Sequence, residues 1–394
     1  MARTKVFKHW LRIWPRPTCK VHSLLLNKRV KAPRSVYNIS GVNYLNTYTL
    51  RDPFPISHFI TLYLGKMSPR ILLFGTGNVG IIYAFILSRA GAEVTCVCRS
   101  NYESAKSNGF EINSTIFGDV SFHPTIASSV SEAVTIAKLA FDYVVVCCKS
   151  SLGSTPSTAS LIAPAVTASR TSIVIIQNGL GVEREFHALF PSTPIISGVA
   201  YLPSTQVSPN SVSHAEIELL HLGNFPATPN LPEDRVSAEQ FAALVTQGGA
   251  TAVLHDDIQL PRWNKLVANA ALNPICALSR CRDLELMSTS PVAADIMKGV
   301  MLEVTKVAGA MGYWKEINES TVEKQFARSM ARQWPGVEPS MLADIRLGKK
   351  LEVEAIVGEV VRLGRQKAVK IDRLETLYAL LSGLDWATQT SQSI

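Results

Sequence analysis

The stretch Arg70–Ser100, RILLFGTGNVGIIYAFILSRAGAEVTCVCRS, decides the fold of this chain. An apolar run enters a glycine-rich turn, a helical pattern follows over Asn78–Ala90 and closes at Gly91, and a second apolar run ends at Arg99. Short, nearly continuous apolar runs are typical of parallel strands that are covered on both faces. The stretch therefore predicts a strand–helix–strand unit with a right-handed crossover.

The same pattern continues to about residue 256 and then changes. The apolar runs DYVVVCCK (142–149) and TSIVIIQNG (171–179) predict two further parallel strands, whereas the polar alternation from residue 204 to residue 223 predicts antiparallel strands. From Asp257 onward, apolar residues recur at spacings of three and four. This spacing predicts helices near residues 258–280, 291–312, 339–367 and 374–386.

The predicted fold class is α/β. A doubly wound, dinucleotide-binding domain over residues 70–256 is followed by an all-helical domain over 257–394, and a basic extension over 1–69 precedes both. A chain of 394 residues is long enough to bury two such cores. Ligands of open α/β sheets bind at the carboxyl ends of the strands, so we expect the functional cleft between the two domains.

The net charge of +8 comes from the extension and not from the predicted domains. Residues 1–51 hold eleven Lys or Arg and no acidic residue, which leaves 28 basic against 31 acidic residues in the rest of the chain. We therefore expect no nucleic-acid partner. No apolar run reaches the roughly 18 residues of a transmembrane helix, so no membrane span is expected either.

The extension is predicted to be a mitochondrial transit peptide. Its first residues form an amphipathic, acid-free helical pattern that ends at Pro15, with Phe7, Trp10, Leu11 and Trp14 on one face and Lys5, Lys8 and Arg12 on another. The alternatives are a disordered basic tail or an incorrect start codon, and the expected location is then the cytoplasm.

The seven cysteines lack the spacing of zinc ligands, and four of them lie in apolar runs, namely Cys96, Cys98, Cys147 and Cys148. Such cysteines are expected to be small buried apolar residues in a reducing compartment. No metal is expected.

The turn after the first strand, Gly75–Gly80, fits the spacing G-x-G-x-x-G. In this context the first glycine permits the turn, the second lets a pyrophosphate approach the backbone, and the third lets the helix pack on the strand. The free N–H groups at the start of the helix then face the phosphates. The predicted dinucleotide-binding residues are Gly75, Thr76, Gly77, Asn78, Val79 and Gly80; the alternative is a merely tight turn.

Arg99 follows the second strand at the point where NAD-binding proteins usually carry a carboxylate for the ribose 2′-hydroxyl. A guanidinium there pairs with a 2′-phosphate, for which a charged hydrogen bond contributes about 1.5 to 3 kcal/mol. The sequence therefore predicts NADPH/NADP as the cofactor. The alternative is a solvated surface arginine.

A polar stripe lies on the first helix of the C-terminal half. Lys265, Asn269 and Asn273 are four residues apart, so they share one helix face among apolar neighbours. Pro274 is expected to bend or reset the helix and to turn Asn273 toward the cleft. The alternative is a solvent-facing stripe on an ordinary amphipathic helix.

This segment resembles the ketopantoate reductase (2-dehydropantoate 2-reductase) family, in which a Lys is followed by Asn residues four and eight positions on and then by Pro. The segment SMLADIRLGKKLEVEAIVG (340–358) is similar to the family's S-M-x-x-D signature, and Asn178-Gly179 and the glycine turn complete the match. The resemblance implies a Rossmann-type domain followed by a helical domain of the 6-phosphogluconate-dehydrogenase-like arrangement.

The resemblance also implies roles for individual residues. Lys265 is the expected general acid, and Asn269, Asn273 and Ser340 are expected to hold the substrate. Asn178 and Lys149 are expected to contact the cofactor, and Glu352 to bind the cofactor ribose and to help order Lys265. An ammonium can stabilise the charge that develops on a ketone oxygen and then donate a proton, a contribution of about 10²- to 10⁴-fold in rate.

One departure from the family pattern concerns the substrate. Where many members carry Asn-Gly after the helix, this chain reads Arg282-Asp283. An acidic Asp283 near a carboxylate substrate is unfavourable unless Arg280 or Arg282 compensates for its charge. The strand near 198–215 also differs from the threonine-rich version of bacterial members, so the identity of the 2-oxo acid stays open.

The resulting expectation is NADPH-dependent reduction of ketopantoate to pantoate, a step of pantothenate and coenzyme A biosynthesis. Two alternatives are a paralogous reductase of another 2-oxo acid or specialised metabolite, and a non-catalytic NADPH-binding mitochondrial protein with the same fold. The expected partners are a small-molecule substrate and, as an option, a second copy of the chain.

Overall fold

The computed structural model describes residues 36–39, 42–45, 68–227 and 232–391. The chain divides into two compact units, Met1–Lys66 and Met67–Ile394. In the first unit, strands β1 (Val36–Ile39) and β2 (Val42–Leu45) pair as an antiparallel hairpin. The predicted amphipathic helix before Pro15 lies outside the described residues.

A large sheet forms the centre of the second unit. Its strands are β3 (Arg70–Phe74), β4 (Glu93–Val97), β7 (Thr125–Ala127), β8 (Tyr143–Val146), β9 (Ser172–Ile176), β10 (Ile195–Tyr201), β13 (Leu219–Asn224) and β14 (Ala252–Leu254). They follow the order β14-β13-β10-β9-β8-β3-β4-β7. All neighbouring pairs are parallel except β10 and β13, so the carboxyl ends of β10, β9, β8, β3 and β4 meet at one edge.

A second, smaller sheet joins strands from two distant parts of the sequence. It consists of β5 (Phe110–Ser114), β6 (Gly118–Phe122), β11 (Ser204–Ser208) and β12 (Ser211–His214), in the order β11-β12-β5-β6. The pair β11–β12 is antiparallel, as the polar alternation predicts, but β12 pairs with β5 in parallel.

Helices cover both faces of the large sheet. They are α1 (Asn78–Arg89), α2 (Tyr102–Asn108), α3 (Val130–Ala137), α4 (Thr158–Ile162), α5 (Arg184–Leu189) and α6 (Pro232–Gln247), and a short 3₁₀ segment over Ala163–Ala165 follows α4. Successive residues of β3 alternate between two apolar clusters, with Ile71 and Leu73 in one and Leu72 and Phe74 in the other. This alternation explains why the strands read as continuous apolar runs.

The secondary-structure elements that the structure describes after residue 257 are all helices. They are α7 (Gln259–Ser279), α8 (Asp283–Thr289), α9 (Pro291–Ala308), α10 (Glu319–Met330), α11 (Ser340–Arg346), α12 (Glu359–Gln366) and α13 (Asp372–Ser391), with π-helical segments over Gly309–Tyr313 and Glu354–Gly358. Their apolar residues form a third buried cluster. We call residues 68–256 the sheet half and residues 257–391 the helical half.

The predicted α/β fold, with parallel strands followed by helices, is confirmed. The predicted helix over 339–367 is wrong in one respect, because it breaks between α11 and the π-helical segment, where Gly348 has a φ of +66°. Helix α7 continues through Pro274, so the proline does not end it. The boundary near residue 256 stays a prediction. No helix of the described residues is long and apolar enough to cross a membrane.

Candidate functional site

The glycine-rich turn has three glycines in three different environments. A Cβ atom added at Gly75, whose φ is +103°, would lie 2.3 Å from the backbone nitrogen of Cys148, and one added at Gly80 would lie 1.9 Å from the Gly75 carbonyl oxygen. At Gly77, in contrast, an added Cβ meets no atom within 4 Å. Protein packing therefore demands the first and third glycines but not the second.

The start of α1 has the free donors that an anion needs. No side chain caps it, and its first turn holds no acidic residue. The turn itself is tied down from two sides. On one side, the Thr76 hydroxyl donates to Asn101 Oδ1 (3.2 Å), and Asn101 Nδ2 donates to the Thr76 carbonyl oxygen (3.1 Å). On the other side, Asn78 Nδ2 donates to the carbonyl oxygen of Ser204 (2.8 Å). The residues thus fit a cradle for a pyrophosphate.

Arg99 lies on the same edge, two residues beyond the end of β4. Its side chain is exposed, and no carboxylate of the described residues forms an ion pair with it. Burial, moderated by the charge of this guanidinium, raises the pKa of the Cys148 thiol to about 11. The guanidinium therefore lies near Cys148, whose backbone packs against Gly75, and it remains available to an anion.

Lys265 of α7 reaches across to the sheet half. Its Nζ donates to Asn178 Oδ1 (2.7 Å) and to the carbonyl oxygen of Ala200 (2.5 Å), and it lies 5.4 Å from the centre of the Tyr201 ring. Asn178 follows β9, and Ala200 is in β10. The ammonium therefore sits at the carboxyl edge of two parallel strands, where the fold predicts a ligand cleft.

The surroundings of Lys265 weaken its hold on the proton. Burial, together with the nearby Arg262 guanidinium, lowers the pKa of the Lys265 ammonium to about 8, while Glu352 acts in the opposite direction. A lysine with such a pKa is still mostly protonated at neutral pH and can donate its proton more readily than an ordinary lysine. These are the properties expected of a general acid.

The other two residues of the polar stripe lie in different places. Asn269 is partly buried and lines a small cleft together with Lys265, Asn178 and Gly179. Asn273 is buried, and its Oδ1 accepts hydrogen bonds from Ser340 Oγ (3.0 Å) and from the Met341 backbone N–H (3.1 Å). The stripe is therefore not a solvent-facing surface, and Asn273 connects α7 to the start of α11.

Two acidic residues of the helical half hold the loop that follows β8. Lys149 forms an ion pair with Asp344, and the Ser150 backbone N–H donates to Glu352 Oε1 (2.8 Å). Glu352 is buried, and burial raises the pKa of its carboxyl group. Lys149 and Glu352 therefore meet at one place between the two halves, together with Asp344, for which the sequence indicated no partner.

The departure at Asp283 has a structural explanation. Asp283 is fully buried and forms an ion pair with Arg332, and its Oδ1 accepts from the Val337 backbone N–H (2.7 Å). Arg282 pairs instead with Glu338 (3.5 Å). The cation that pairs with Asp283 therefore comes from the loop between α10 and α11, and not from Arg280 or Arg282, the two candidates in the sequence.

Sequence reasoning missed the group beneath the lysine. Arg262 and Glu183 form a buried ion pair, with 3.0 Å between Nε and Oε1. Arg262 is in the first turn of α7 and shares a face with Lys265, but an isolated arginine in a sequence reads as a surface residue. Only the packing of α7 on the sheet reveals that it is inside.

Both halves of the chain are similar to known proteins. The family models "Ketopantoate reductase PanE/ApbA" and "Ketopantoate reductase PanE/ApbA C terminal" match residues 71–227 and 257–385. The crystal structure of 2-dehydropantoate 2-reductase from Methylococcus capsulatus is 34% identical, with a TM-score of 0.69 over 81% of this chain and 97% of that chain. The corresponding structure from Geobacter metallireducens is 30% identical, with a TM-score of 0.70 over 80% and 99%.

These matches agree with the fold. They define the class as a two-domain α/β oxidoreductase. The chain belongs to the ketopantoate reductase family. Among curated relatives, an uncharacterized protein of Saccharomyces cerevisiae is 27% identical over 79% of this chain and 92% of its own length. The relatives of this chain therefore include a protein whose name gives no substrate.

Proposed function

We propose that this protein catalyses the NADPH-dependent reduction of a 2-oxo acid to a 2-hydroxy acid, with ketopantoate as the substrate and pantoate as the product. The product would then serve pantothenate and coenzyme A biosynthesis. The observation that carries the proposal is the position of Lys265. Its ammonium group has a lowered pKa and lies at the carboxyl edge of β9 and β10, beside the partly buried amide of Asn269.

The residues of the sheet half fit a nicotinamide dinucleotide. The turn Gly75–Gly80 would hold the pyrophosphate, because Gly77 leaves the backbone open there. Arg99 would pair with a 2′-phosphate, while Lys149, Asn178 and Glu352 would contact the ribose and the reacting end. When bound, the reduced nicotinamide supplies a hydride to the ketone carbon.

The chain's own residues then manage the charge on the ketone oxygen. Lys265 would stabilise the developing negative charge with its ammonium and donate a proton to the oxygen. Asn178 holds that ammonium in place through a 2.7 Å hydrogen bond. Glu352 keeps a carboxylate close enough to favour the protonated lysine, which makes it part of the proposed catalytic group.

Three polar residues would hold the 2-oxo acid, two by direct contact and one through its neighbour. Asn269 lines the cleft, and Ser340 is exposed at the start of α11. Asn273 would act through Ser340, whose hydroxyl group it orients by a 3.0 Å hydrogen bond. This arrangement places amide and hydroxyl donors within the same helical half as the ammonium.

The test is loss of NADPH absorbance when purified protein is mixed with ketopantoate. We expect turnover by the wild type and a decrease of about 10²- to 10⁴-fold in kcat for Lys265→Ala. Lys324→Ala, which removes an exposed lysine of α10, is the matched control and should retain activity. Equal rates for wild type and Lys265→Ala would contradict the proposal.

A panel of 2-oxo acids with NADPH and NADH separates the remaining alternatives. If another 2-oxo acid is reduced with a higher kcat/KM than ketopantoate, the protein is a paralogous reductase. If the protein binds NADPH tightly and consumes none with any member of the panel, it is a non-catalytic NADPH-binding protein.

Two further assignments belong to the proposal. Mitochondrial location through a cleaved transit peptide predicts that mass spectrometry of protein from isolated mitochondria finds a new N-terminus within residues 1–69. An intact Met1 start would contradict removal of a presequence, and absence of the protein from isolated mitochondria would contradict the location. Assembly as a homodimer predicts about twice the 43.0 kDa chain mass in light scattering.

A further inference from the structure

A buried arginine lies directly beneath the proposed general acid. Arg262 precedes Lys265 by one helical turn on α7, and its side chain is only 2% exposed. Its Nη1 donates to the carbonyl oxygens of Gln177 (2.9 Å) and Gly179 (2.8 Å). These two carbonyl groups flank Asn178. Arg262 therefore binds the backbone on both sides of the residue whose side chain accepts a hydrogen bond from Lys265.

The other nitrogen of the guanidinium holds the neighbouring strand. Nη2 donates to Ser197 Oγ (2.6 Å) and to the Gly198 carbonyl oxygen (3.2 Å) in β10. Two residues further along the same strand, the Ala200 carbonyl accepts the second hydrogen bond of Lys265. Arg262 therefore fixes the two backbone segments that carry the acceptors of the ammonium, namely the Asn178 side chain and the Ala200 carbonyl oxygen.

Glu183 balances the charge of this arginine. Its Oε1 pairs with Arg262 Nε (3.0 Å) and accepts from Ser197 Oγ (2.7 Å) and Gln259 Nε2 (3.0 Å). Its other oxygen, Oε2, is buried without a hydrogen-bond partner in the described part of the chain. Burying a charged pair is an expensive way to join two elements, which well-packed apolar residues would achieve equally well. The pair therefore calls for an explanation beyond stability.

We propose that Arg262 is a positioning residue for Lys265: it fixes both acceptors of the ammonium and, with Glu183, forms a charge pair beneath it. This inference rests on the proposed function in that the ordered ammonium is the proton donor. The electrostatic effect runs in the same direction as the geometry. The Arg262 guanidinium lowers the pKa of Lys265, and the Glu183 carboxylate screens part of that effect.

Three variants separate geometry from charge. Arg262→Lys keeps the charge but loses the planar fork that reaches four acceptors. Arg262→Met removes the charge, and Glu183→Gln removes the opposite charge while it keeps an oxygen for Ser197 and Gln259. We expect kcat to fall about 100-fold in Arg262→Lys and Arg262→Met, because a misplacement of about 1 Å is enough for such a loss.

The pH dependence distinguishes positioning from a merely structural role. The pH above which kcat falls should rise by about one unit in Arg262→Met and fall in Glu183→Gln, since the two substitutions leave opposite residual charges near Lys265. In Arg262→Lys it should stay at the wild-type value. A structural role predicts lower melting temperatures with no such opposite shifts, and that result would overturn the inference.

A titration of Lys265 Nζ by ¹⁵N NMR reads the same shifts without turnover, and Lys265→Ala identifies the signal. Opposite shifts support the inference even if the wild type reduces no 2-oxo acid, a result that would remove only the proposed function. Equal Lys265 titration in all variants would overturn the inference whatever the activity. Should Arg262→Met fail to fold, a lower pKa of Lys265 in Glu183→Gln together with an unchanged value in Arg262→Lys supports the inference, and equal values in both variants and the wild type overturn it.

Discussion

The two sides of the cleft are built in different ways. On the sheet side, the centre of the proposed binding surface is the backbone of the turn Gly75–Gly80, with glycines where the chain approaches itself or leaves space for a ligand. On the helical side, the surface consists of side chains from α7 and α11 and of Glu352, which precedes the π-helical segment. These side chains meet only after the helices have packed. A short sequence motif encodes the first surface, whereas the second depends on tertiary packing.

The difference also appears in how each side tolerates charge. The helix that follows the turn Gly75–Gly80 has no acidic residue in its first turn, so its free N–H groups can bind an anion. The helical side instead buries its charges in pairs, among them Arg332 with Asp283 and, across to the sheet half, Arg262 with Glu183. Substitutions on the helical side should therefore affect stability more than substitutions in open parts of the turn.

The largest expected effect is on the helical side, at Asp283. Asp283→Ala should reduce the free energy of unfolding by about 3 to 5 kcal/mol, because it leaves Arg332 without its buried partner. The measurement is urea unfolding. Asp283→Asn, which preserves the oxygen that accepts from Val337, should lose less and should leave KM for the 2-oxo acid unchanged. A lower KM in that variant would instead place the carboxylate near the substrate.

The next effect compares two glycines of the same turn. Gly80→Ala should destabilise the protein by about 1 to 3 kcal/mol, because its Cβ would overlap the Gly75 carbonyl oxygen. Gly77→Ala should leave the melting temperature nearly unchanged but weaken NADPH binding, since only the ligand would meet the new methyl group. Calorimetry of both variants, alone and with NADPH, checks this. Unchanged NADPH affinity in Gly77→Ala would contradict the proposal that the turn binds the pyrophosphate.

The sequence predicted the sheet side well for a physical reason. Parallel strands that are covered on both faces must be apolar throughout, and a turn with backbone atoms in close contact must contain glycine at fixed positions. Both requirements are local, so they are visible in Arg70–Ser100. The small sheet was harder to predict, because β12 pairs with β5 across about a hundred residues of sequence.

On the helical side, the sequence predicted which residues share a helix face, but not the hydrogen bonds and ion pairs that they form. The spacing of Lys265, Asn269 and Asn273 placed them on one face, and the structure keeps that face in the interior. That Asn273 would bind Ser340, or that Asp344 would pair with Lys149, depends on the packing of α11 and could not follow from spacing. The buried Arg262 gave no signal of its own in the sequence.

A smaller effect tests the assigned cofactor. Arg99→Ala should weaken NADPH by about 10- to 100-fold, in line with the loss of one charged hydrogen bond, and should leave NADH affinity nearly unchanged. Fluorescence titration with both dinucleotides measures this. Arg89→Ala is an unsuitable control because Arg89 packs on Phe85 and Phe117. Arg365→Ala, which removes an exposed arginine of α12 that pairs with Glu375, is the control and should leave the affinity for both dinucleotides unchanged. Equal losses of affinity for the two dinucleotides would contradict the proposal that Arg99 binds the 2′-phosphate.

The smallest effect is a pH dependence that involves no substitution. In the proposed reaction Lys265 donates a proton to the ketone oxygen, so it must be protonated, and burial with the nearby Arg262 lowers its pKa to about 8. The kcat for reduction should therefore be constant below about pH 7 and fall about tenfold per pH unit above pH 8, because only the protonated fraction is active. The reverse oxidation needs the neutral amine, so its rate should rise with pH through the same value.

The two directions together identify the group that titrates. An inflection near the ordinary lysine pKa of about 10.4 would show that Lys265 is not held as described. Glu352→Gln removes a charge that favours the protonated lysine, so the inflection should move to lower pH in both directions. A shift in only one direction would mean that the inflection reports a change in dinucleotide binding on the sheet side, and not the proton on the helical side.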